Sequence, residues 1–395
     1  MTSAVTDPTR ESVAASLEQD HVESHLHPEP TYDVAAHPKP TGREEIWRFT
    51  PLKRLRGLLD GVPSDGHLDV KEELPAGVTV TPISTDQAKA LGVTPAFDRL
   101  GALAVENAGG ALLVDIPADA ELDGPVRVQL HGDSVDTVVW GHVVVRVGSH
   151  ARAIVLVEHT GSTTYDAFTS VLVGDGANVD LVHVNDWADD AVHAEQINIR
   201  VGRDATLRHF EFTLGGDLVR TSTNVDYAGP GGSAELFGLY FADAGQHFEH
   251  RLFVDHNAPR TKSNVVYKGA LQGQDAHTVW IGNVLIRKVA EGIETYEENR
   301  NLVLTDGCQA DSVPNLEIET GEIEGAGHAS AVGRFDDEQL FYLRSRGIAE
   351  SEARKLVVRG FFDDLIRRVT VPELAEKLSG QVEEELKRHV LAGLD

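Results

Sequence analysis

The chain has 395 residues, of which 41% are hydrophobic, so it can form two or three domains or one large elongated domain. Its 35 Lys and Arg residues against 63 Asp and Glu residues give a formal net charge of −28 at pH 7. A surface that acidic repels phosphate backbones and anionic lipids, which argues against a nucleic-acid-binding or membrane-surface protein. The single cysteine excludes an internal disulfide framework.

The N-terminal sequence contains no basic run that leads into an apolar stretch, as a secretory signal would. No window approaches the ~20 consecutive apolar residues that a membrane-spanning helix needs. We therefore expect a soluble protein of the reducing cytoplasm.

Residues 1–65 are predicted to form a flexible tail followed by a short helical segment. The tail is polar and rich in proline, and only about Glu11–Glu23 could form a helix. Its histidines could bind a metal, but a solvated tail is favoured because no apolar residues would hold a site together. They are His21, His25, His27 and His37. Order is expected to begin near Glu44, with Trp47, Leu52 and Leu55 docking on the main body.

Residues 66–331 are predicted to form one repetitive β-structure. Short alternating apolar runs follow glycine corners, and the first glycines of these corners are 26, 28 and 27 residues apart. The corners are Gly148–Ala151, Gly174–Ala177, Gly202–Ala205 and Gly229–Ala234, and Gly307–Ala310 repeats the pattern near the end. Each period holds two strand-sized runs, which must stack on their neighbours to bury an apolar face.

This periodicity predicts a mainly β protein built on a parallel β-helix. Glycine at the corner is expected to supply a positive φ, and the alanine that follows suits a tight bend. A double-sheet jelly roll is the alternative.

Residues 332–395 are predicted to form a C-terminal α-helical domain. Asp336 is a plausible N-cap, Gly347 a helix stop, and Pro372 the start of a last helix with an apolar residue every four positions up to Val390. Two interpretations stay open: the apolar stripes pack on the end of the β-helix, or they offer a groove to a partner.

The sequence contains no nucleotide-binding loop, no nucleophile elbow and no zinc-binding histidine pair of the common motifs. Four acidic residues could supply two carboxylates for glycoside cleavage, although a solvated acidic face is favoured in so acidic a chain. These residues are Glu291, Glu294, Glu297 and Glu298. A β-helical carbohydrate-active enzyme, a lyase or hydrolase, is therefore the alternative function.

Cys308 and His328 are 20 residues apart, less than one period, so they are expected on the same or adjacent coils. Thiolate and imidazole are both good ligands for iron, but two ligands do not complete a cluster site. From spacing alone, ordinary packing roles for both residues are favoured.

The chain resembles the SufB/SufD family, the scaffold subunits of the SUF machinery for iron–sulfur cluster assembly. The resemblance rests on five segments: Glu44–Leu55, His256–Leu271, Pro314–Ile318, Asp337–Gln339 and Leu340–Ile348. It implies a right-handed parallel β-helix with a C-terminal helical domain. The length and the early Trp-Arg-Phe-Thr motif favour the SufD branch over the longer SufB branch.

The resemblance also implies partners and a site. SufB is expected to pair with this chain through the β-helices, and the ATPase SufC to dock on the helical domain through Phe341, Leu356, Phe361 and Leu365. His328 is implicated in a transient iron–sulfur cluster at the SufB interface. Whether the isolated chain forms a homodimer, and whether a reduced flavin binds the assembled complex, stays open.

Two positions depart from the family pattern. Some SufD sequences carry a cysteine where this chain has Ala326, and Cys308 falls where SufB carries its essential cysteine. Cys308 is therefore either an extra thiolate near the site or a neutral replacement, with the second interpretation favoured.

Overall fold

The computed structural model describes residues 29–64, 66–335 and 337–388. Several positions discussed above lie outside this described part: the Glu11–Glu23 helix, three of the tail histidines, Asp336 and Val390.

The segment before the β-helix packs on its side through short helices. These are the 3₁₀ helices Val34–Ala36, Leu52–Leu55 and Leu58–Asp60 and the α-helices α1 (Thr85–Ala90) and α2 (Arg99–Asn107). Trp47 and Leu55 are buried, whereas Leu52 is only partly buried. The guanidinium of Arg220, on the β-helix, lies 4.1 Å from the centre of the Trp47 ring, so a cation–π contact fixes the segment in place.

Sixteen strands were found in the described residues. They are β1 (Asp69–Glu73), β2 (Thr79–Ile83), β3 (Ala111–Ile116), β4 (Val126–Val147), β5 (Arg152–Val173), β6 (Asn178–Trp187), β7 (Val192–Val201), β8 (Thr206–Thr213), β9 (Leu218–Tyr227), β10 (Ser233–Ala242), β11 (His247–His256), β12 (Lys262–Leu271), β13 (His277–Ile286), β14 (Glu294–Val303), β15 (Gln309–Ile318) and β16 (Gly325–Arg334).

Strands β4 to β16 form a parallel β-helix, which confirms the predicted fold and excludes the jelly roll. Even-numbered strands from β6 to β16 stack in one sheet and odd-numbered strands from β7 to β15 in the other, with the long β5 contributing to both. Each strand pairs in parallel and in register with the strand one coil away: Leu207 pairs with Val179 on one side and with Ala234 on the other. Inward-facing side chains form a continuous apolar core between the sheets.

The corner glycines take two roles, and the predicted positive φ is found at Gly176 and at Gly307 (φ 85°). Positive φ falls at the third corner position, at His150 (φ 61°), Gly176 (φ 65°) and Asp204 (φ 53°). The first glycine instead permits close stacking, since a β-carbon on Gly174 would lie 2.6 Å from the backbone nitrogen of Ser149 in the preceding corner. The Gly307 corner follows β14, in the sheet of β6 to β16, and therefore lies on the opposite edge of the β-helix, out of phase with the others.

The C-terminal helices cover one side of the β-helix rather than its end. They are α3 (Asp337–Ser345), α4 (Glu350–Ile366) and α5 (Pro372–Arg388). Gly347 (φ 87°) ends α3, where the amide of Ile348 donates to the carbonyl of Leu343 at 3.3 Å. Phe362 and Leu378, both buried, join an apolar cluster with Phe210 and Phe241 on the outer side of the even-numbered sheet. No described helix is both long and apolar enough to cross a bilayer.

Candidate functional site

The last coil of the β-helix is open on one side. Within the described part of the chain, β15 pairs only with β13 and β16 only with β14 in the parallel ladder. Most residues of β16 are exposed or half-buried, in contrast to the largely buried strands of the middle coils. The coil therefore presents unpaired backbone groups and inward-facing side chains at the mouth of the solenoid.

His328 lies in this open coil. It occupies the fourth position of β16 and pairs in register with Glu297 of β14, one coil below. The imidazole is 42% exposed, and its Nδ1 lies 3.9 Å from Oε1 of Glu297. The ring is thus accessible to a molecule that covers the end of the β-helix.

Glu297 is buried directly beneath His328, with only 2% of its surface exposed. Its Oε1 has no hydrogen-bond partner, and burial raises the pKa of the carboxyl to about 8. A β-carbon on Gly282 in the opposite sheet would collide with Oε2, so this glycine makes room for the carboxyl group.

Cys308 is not close to His328. It lies in the corner between β14 and β15, beyond Val303, which pairs with Arg334 at the far end of β16. From residue 328 to residue 334 the strand extends by roughly 20 Å, at about 3.3 Å per residue. The adjacent coils expected from spacing are present, but the two side chains lie at opposite ends of a strand.

The Cys308 thiol has contacts in its own corner and in the corner between β12 and β13. Its Sγ donates to the carbonyl of Gly273 at 3.2 Å and lies 3.5 Å from the Thr305 hydroxyl. Burial raises the pKa of the Cys308 thiol, which disfavours the thiolate form needed for iron binding.

The four predicted docking residues do not share one surface. Phe341 is 74% exposed and Leu356 is 49% exposed, whereas Leu365 is buried in the cluster against the β-helix and Phe361 is partly buried. Leu356 and Leu365 are nine residues apart, which at about 3.6 residues per turn places them on opposite sides of α4. Leu365 is therefore core, and Phe341 and Leu356 are the members of the set that a partner can reach.

The acidic stretch does not form a facing pair of carboxylates. Glu297 and Glu298 are adjacent in β14 and point to opposite sides of the sheet, one buried and one half-buried. Glu294 is exposed and binds Lys262 at 2.8 Å. This arrangement gives no support to the carbohydrate-active alternative.

Sequence reasoning missed a set of polar side chains inside the β-helix. His159, His193 and Glu195 bring ligand-type atoms within 4.8 Å of one another, and all three are buried. However, the indole N–H of Trp187 donates to Nδ1 of His193 at 3.1 Å. Because an indole can only donate, the neutral ring carries its own proton on Nε2 and offers Glu195 an N–H rather than a lone pair. The cluster is therefore poorly suited to a metal ion.

A cavity of about 310 Å³ reaches this cluster from the N-terminal end of the β-helix. Its wall is mainly aliphatic, and its polar end includes His159, His183 and Glu195. His183 and His209 are 26 residues apart, equal to the first glycine spacing, and their ring nitrogens lie 3.0 Å apart. The glycine period could thus have identified stacked interior histidines in the sequence.

Comparisons with known proteins agree with this architecture. A family model described as "SUF system FeS cluster assembly, SufBD core domain" matches residues 130–361. The chain is 52% identical over 365 residues to an iron–sulfur cluster assembly SufBD family protein of Mycobacterium bovis, covering 90% of this chain and 92% of the relative. It is 50% identical over 364 residues to the corresponding Mycobacterium leprae protein, covering 90% and 93%.

A more distant relative is the iron–sulfur cluster assembly protein SufD of Bacillus subtilis, 25% identical over 308 residues, covering 75% of this chain and 69% of the relative. The parallel β-helix together with these matches defines an iron–sulfur cluster assembly protein of the SUF system. The chain belongs to the SufB/SufD family.

Proposed function

We propose that this chain is a SufD-like, non-enzymatic scaffold subunit that presents His328 to a nascent iron–sulfur cluster at an interface with SufB. The observation that carries the proposal is the open last coil, where an accessible imidazole lies among unpaired strand edges. A second β-helix could add strands to β15 and β16 and enclose the ring. The cluster is cargo, which His328 holds only in transit.

Replacing His328 tests the site. An imidazole nitrogen can donate a lone pair to iron, whereas an alanine methyl cannot. His328→Ala should therefore leave the complex with SufB and SufC assembled but lower the iron and sulfide bound per complex by at least about tenfold. The measurement is anaerobic reconstitution of the co-expressed complex, and a normal cluster yield would contradict the assignment.

Cys308→Ser provides the matched control in the same assay. Serine preserves the volume and the hydrogen bond to Gly273 but is a poor ligand for iron. Since Cys308 lies at the far end of the strand, we expect parental iron and sulfide content. Loss of cluster in this variant would instead make Cys308 a ligand.

We assign docking of the ATPase SufC to the C-terminal helices, and ATP hydrolysis to SufC itself. Phe341 and Leu356 are large apolar side chains exposed on neighbouring helices, as expected for residues that a partner covers. Phe361 contributes its partly buried ring, and Leu365 supports the helix from below.

Removing the exposed pair should weaken capture of SufC. Each of Phe341→Ala and Leu356→Ala is expected to cost at least about fivefold in affinity, since buried apolar anchors contribute about 1 kcal/mol or more. Binding of purified SufC is measured by calorimetry. Val289→Ala is the control and should leave affinity unchanged, because Val289 is 62% exposed, between Leu356 and Phe341, but lies on a β-helix corner. Equal affinities for all three variants would place the docking surface elsewhere.

Cytoplasmic location stays a prediction from the sequence. Homodimer formation by the isolated chain and binding of a reduced flavin to the complex stay open questions raised by the resemblance.

A further inference from the structure

The carboxyl group of Glu297 occupies an unusual place in the interior of the β-helix. Within the same strand, Asn299 and Asn301 also point inward, but each has hydrogen-bond partners, including the Tyr240 hydroxyl at 2.9 Å and 2.7 Å. Oε1 of Glu297 has no hydrogen-bond partner, although only 2% of the surface of Glu297 is exposed. An unpartnered buried polar atom is costly, so the fold retains this one against a penalty.

The basic group that faces Glu297 on this side is His328. Among the described residues, His328 is the only basic side chain with a nitrogen within 4.0 Å of Glu297, with Nδ1 3.9 Å from Oε1. That separation is too long for a hydrogen bond. The pair therefore leaves a gap that opens at the mouth of the last coil. A carboxyl oxygen of Glu297 bounds it below, and an imidazole nitrogen of His328 bounds it above.

We propose that Glu297 and His328 together bind a ferrous ion, with Oε1 and Nδ1 as its two protein ligands from this chain. The proposal rests on the proposed function and extends it, because it adds Glu297 as a second iron ligand on this side of the interface. Carboxylate and imidazole suit Fe²⁺, whereas the all-sulfur set of a finished cluster would not need a carboxylate. Ligands about 2.1 Å from one ion lie roughly 3 Å apart, so the two atoms must approach by less than ~1 Å.

The remaining coordination positions face the open end of the β-helix. Solvent can fill them in the isolated chain, and a partner's ligands can replace solvent in the complex. Binding displaces the proton of the Glu297 carboxyl to solvent, and the ion is bound and released as Fe²⁺, so no change of oxidation state is assigned to this site.

The test is anaerobic titration of the isolated full chain with Fe²⁺, using competition with a chromophoric chelator. Glu297→Gln and His328→Ala should each weaken binding by at least about tenfold, and the double variant should add little to either, because both ligands serve one ion. Glu298→Gln is the matched control: its carboxylate is next in the same strand but on the other side of the sheet, so it should bind Fe²⁺ like the parent.

Glu297→Asp keeps the carboxyl group but retracts its oxygens by one methylene, and it should also lose most of the affinity. It supplies a second test if the glutamine variant does not fold. Parental Fe²⁺ affinity in a folded Glu297→Gln or Glu297→Asp variant would overturn the proposal and make Glu297 a structural residue.

This outcome is separable from failure of the proposed function. If Fe²⁺ binding to the isolated chain requires Glu297 and His328 but the complex of His328→Ala builds clusters normally, the iron site stands and the cluster role of His328 fails. If the complex of His328→Ala loses its cluster but Fe²⁺ affinity is unaffected, the reverse holds.

Discussion

Lowering the pH from 7 to about 4.5 should unfold this protein cooperatively, because its interior holds many neutral histidines. Burial is the main cause that lowers the pKa of eight of these rings. They are His142, His159, His183, His193, His209, His247, His250 and His256.

The direction follows from the two states. An unfolded histidine has a pKa of about 6.5, and the folded values are lower, about 4 for His142 and His159. The stability that these rings contribute is therefore present above about pH 6.5 and lost as the pH falls towards the folded values. Burial raises the pKa of three carboxyls, Asp166, Glu195 and Glu297, which opposes this loss down to about pH 4.5.

The histidines outnumber the opposing carboxyls. Eight rings less three carboxyls leave a net uptake of up to about five protons on unfolding, or about 7 kcal/mol per pH unit at about 1.4 kcal/mol per proton. A domain has only about 5–15 kcal/mol to lose, so one to two pH units suffice.

Far-UV circular dichroism and tryptophan fluorescence between pH 7.5 and pH 4 would follow this transition. His142→Phe should move the midpoint to lower pH, because both nitrogens of His142 lack hydrogen-bond partners and a phenyl ring preserves its packing against Phe168. His131→Asn removes an exposed ring and should leave the midpoint in place. A native spectrum at pH 4.5, or equal midpoints for the two variants, would contradict this account.

Phe362→Ala should lower the free energy of unfolding by about 3–5 kcal/mol, a large share of the total. Phe362 is fully buried in α4, and its ring centre lies 6.5 Å from that of Phe241 on β10. Urea denaturation of the full chain gives the measurement. Phe341→Ala, at a 74% exposed position, is the control and should change the same quantity by no more than about 0.5 kcal/mol. Similar losses of unfolding free energy in both variants would mean that α4 does not stabilise the protein by covering the even-numbered sheet.

The same interface predicts the behaviour of a chain that ends before α3. Its β-helix would expose the aromatic residues that the helices cover: Phe210, Phe212, Phe237 and Phe241. We expect such a truncated chain to aggregate, so point substitutions in the exposed helix positions are the sharper test of SufC docking.

The β-helix was predictable from the sequence because its corners recur with a nearly constant period. The role of each corner glycine was predictable only in part, since spacing cannot distinguish a positive φ from a close approach of two backbones. Gly174 is required by the second of these, and Gly176 supplies the first. Gly307 matched the motif but lies on the other edge, because its corner follows β14 of the even-numbered sheet. The other corners follow strand segments that stack in line with the odd-numbered sheet.

The site was predictable only in part. His328 followed from family resemblance, and the structure gives it an exposed position that spacing alone could not. Glu297 stood out in the sequence only as one of four acidic residues, because its burial depends on coil register: 31 residues separate it from His328, exactly one coil. Leu365 fitted the same helical periodicity as the outward-facing residues, and only the position of the covered sheet decides which side of α4 is buried.

The stacking of coils has a consequence for how this protein can diverge. A coil in the middle of the β-helix contacts two neighbouring coils, so a substitution there must be compatible with the packing of both. The last coil packs against only one neighbour in the ladder of described strands. Residues of the last coil can therefore change during evolution without disturbing the packing inside the β-helix. Related proteins would then keep the corner residues and the interior side chains but differ in the residues exposed on the last coil.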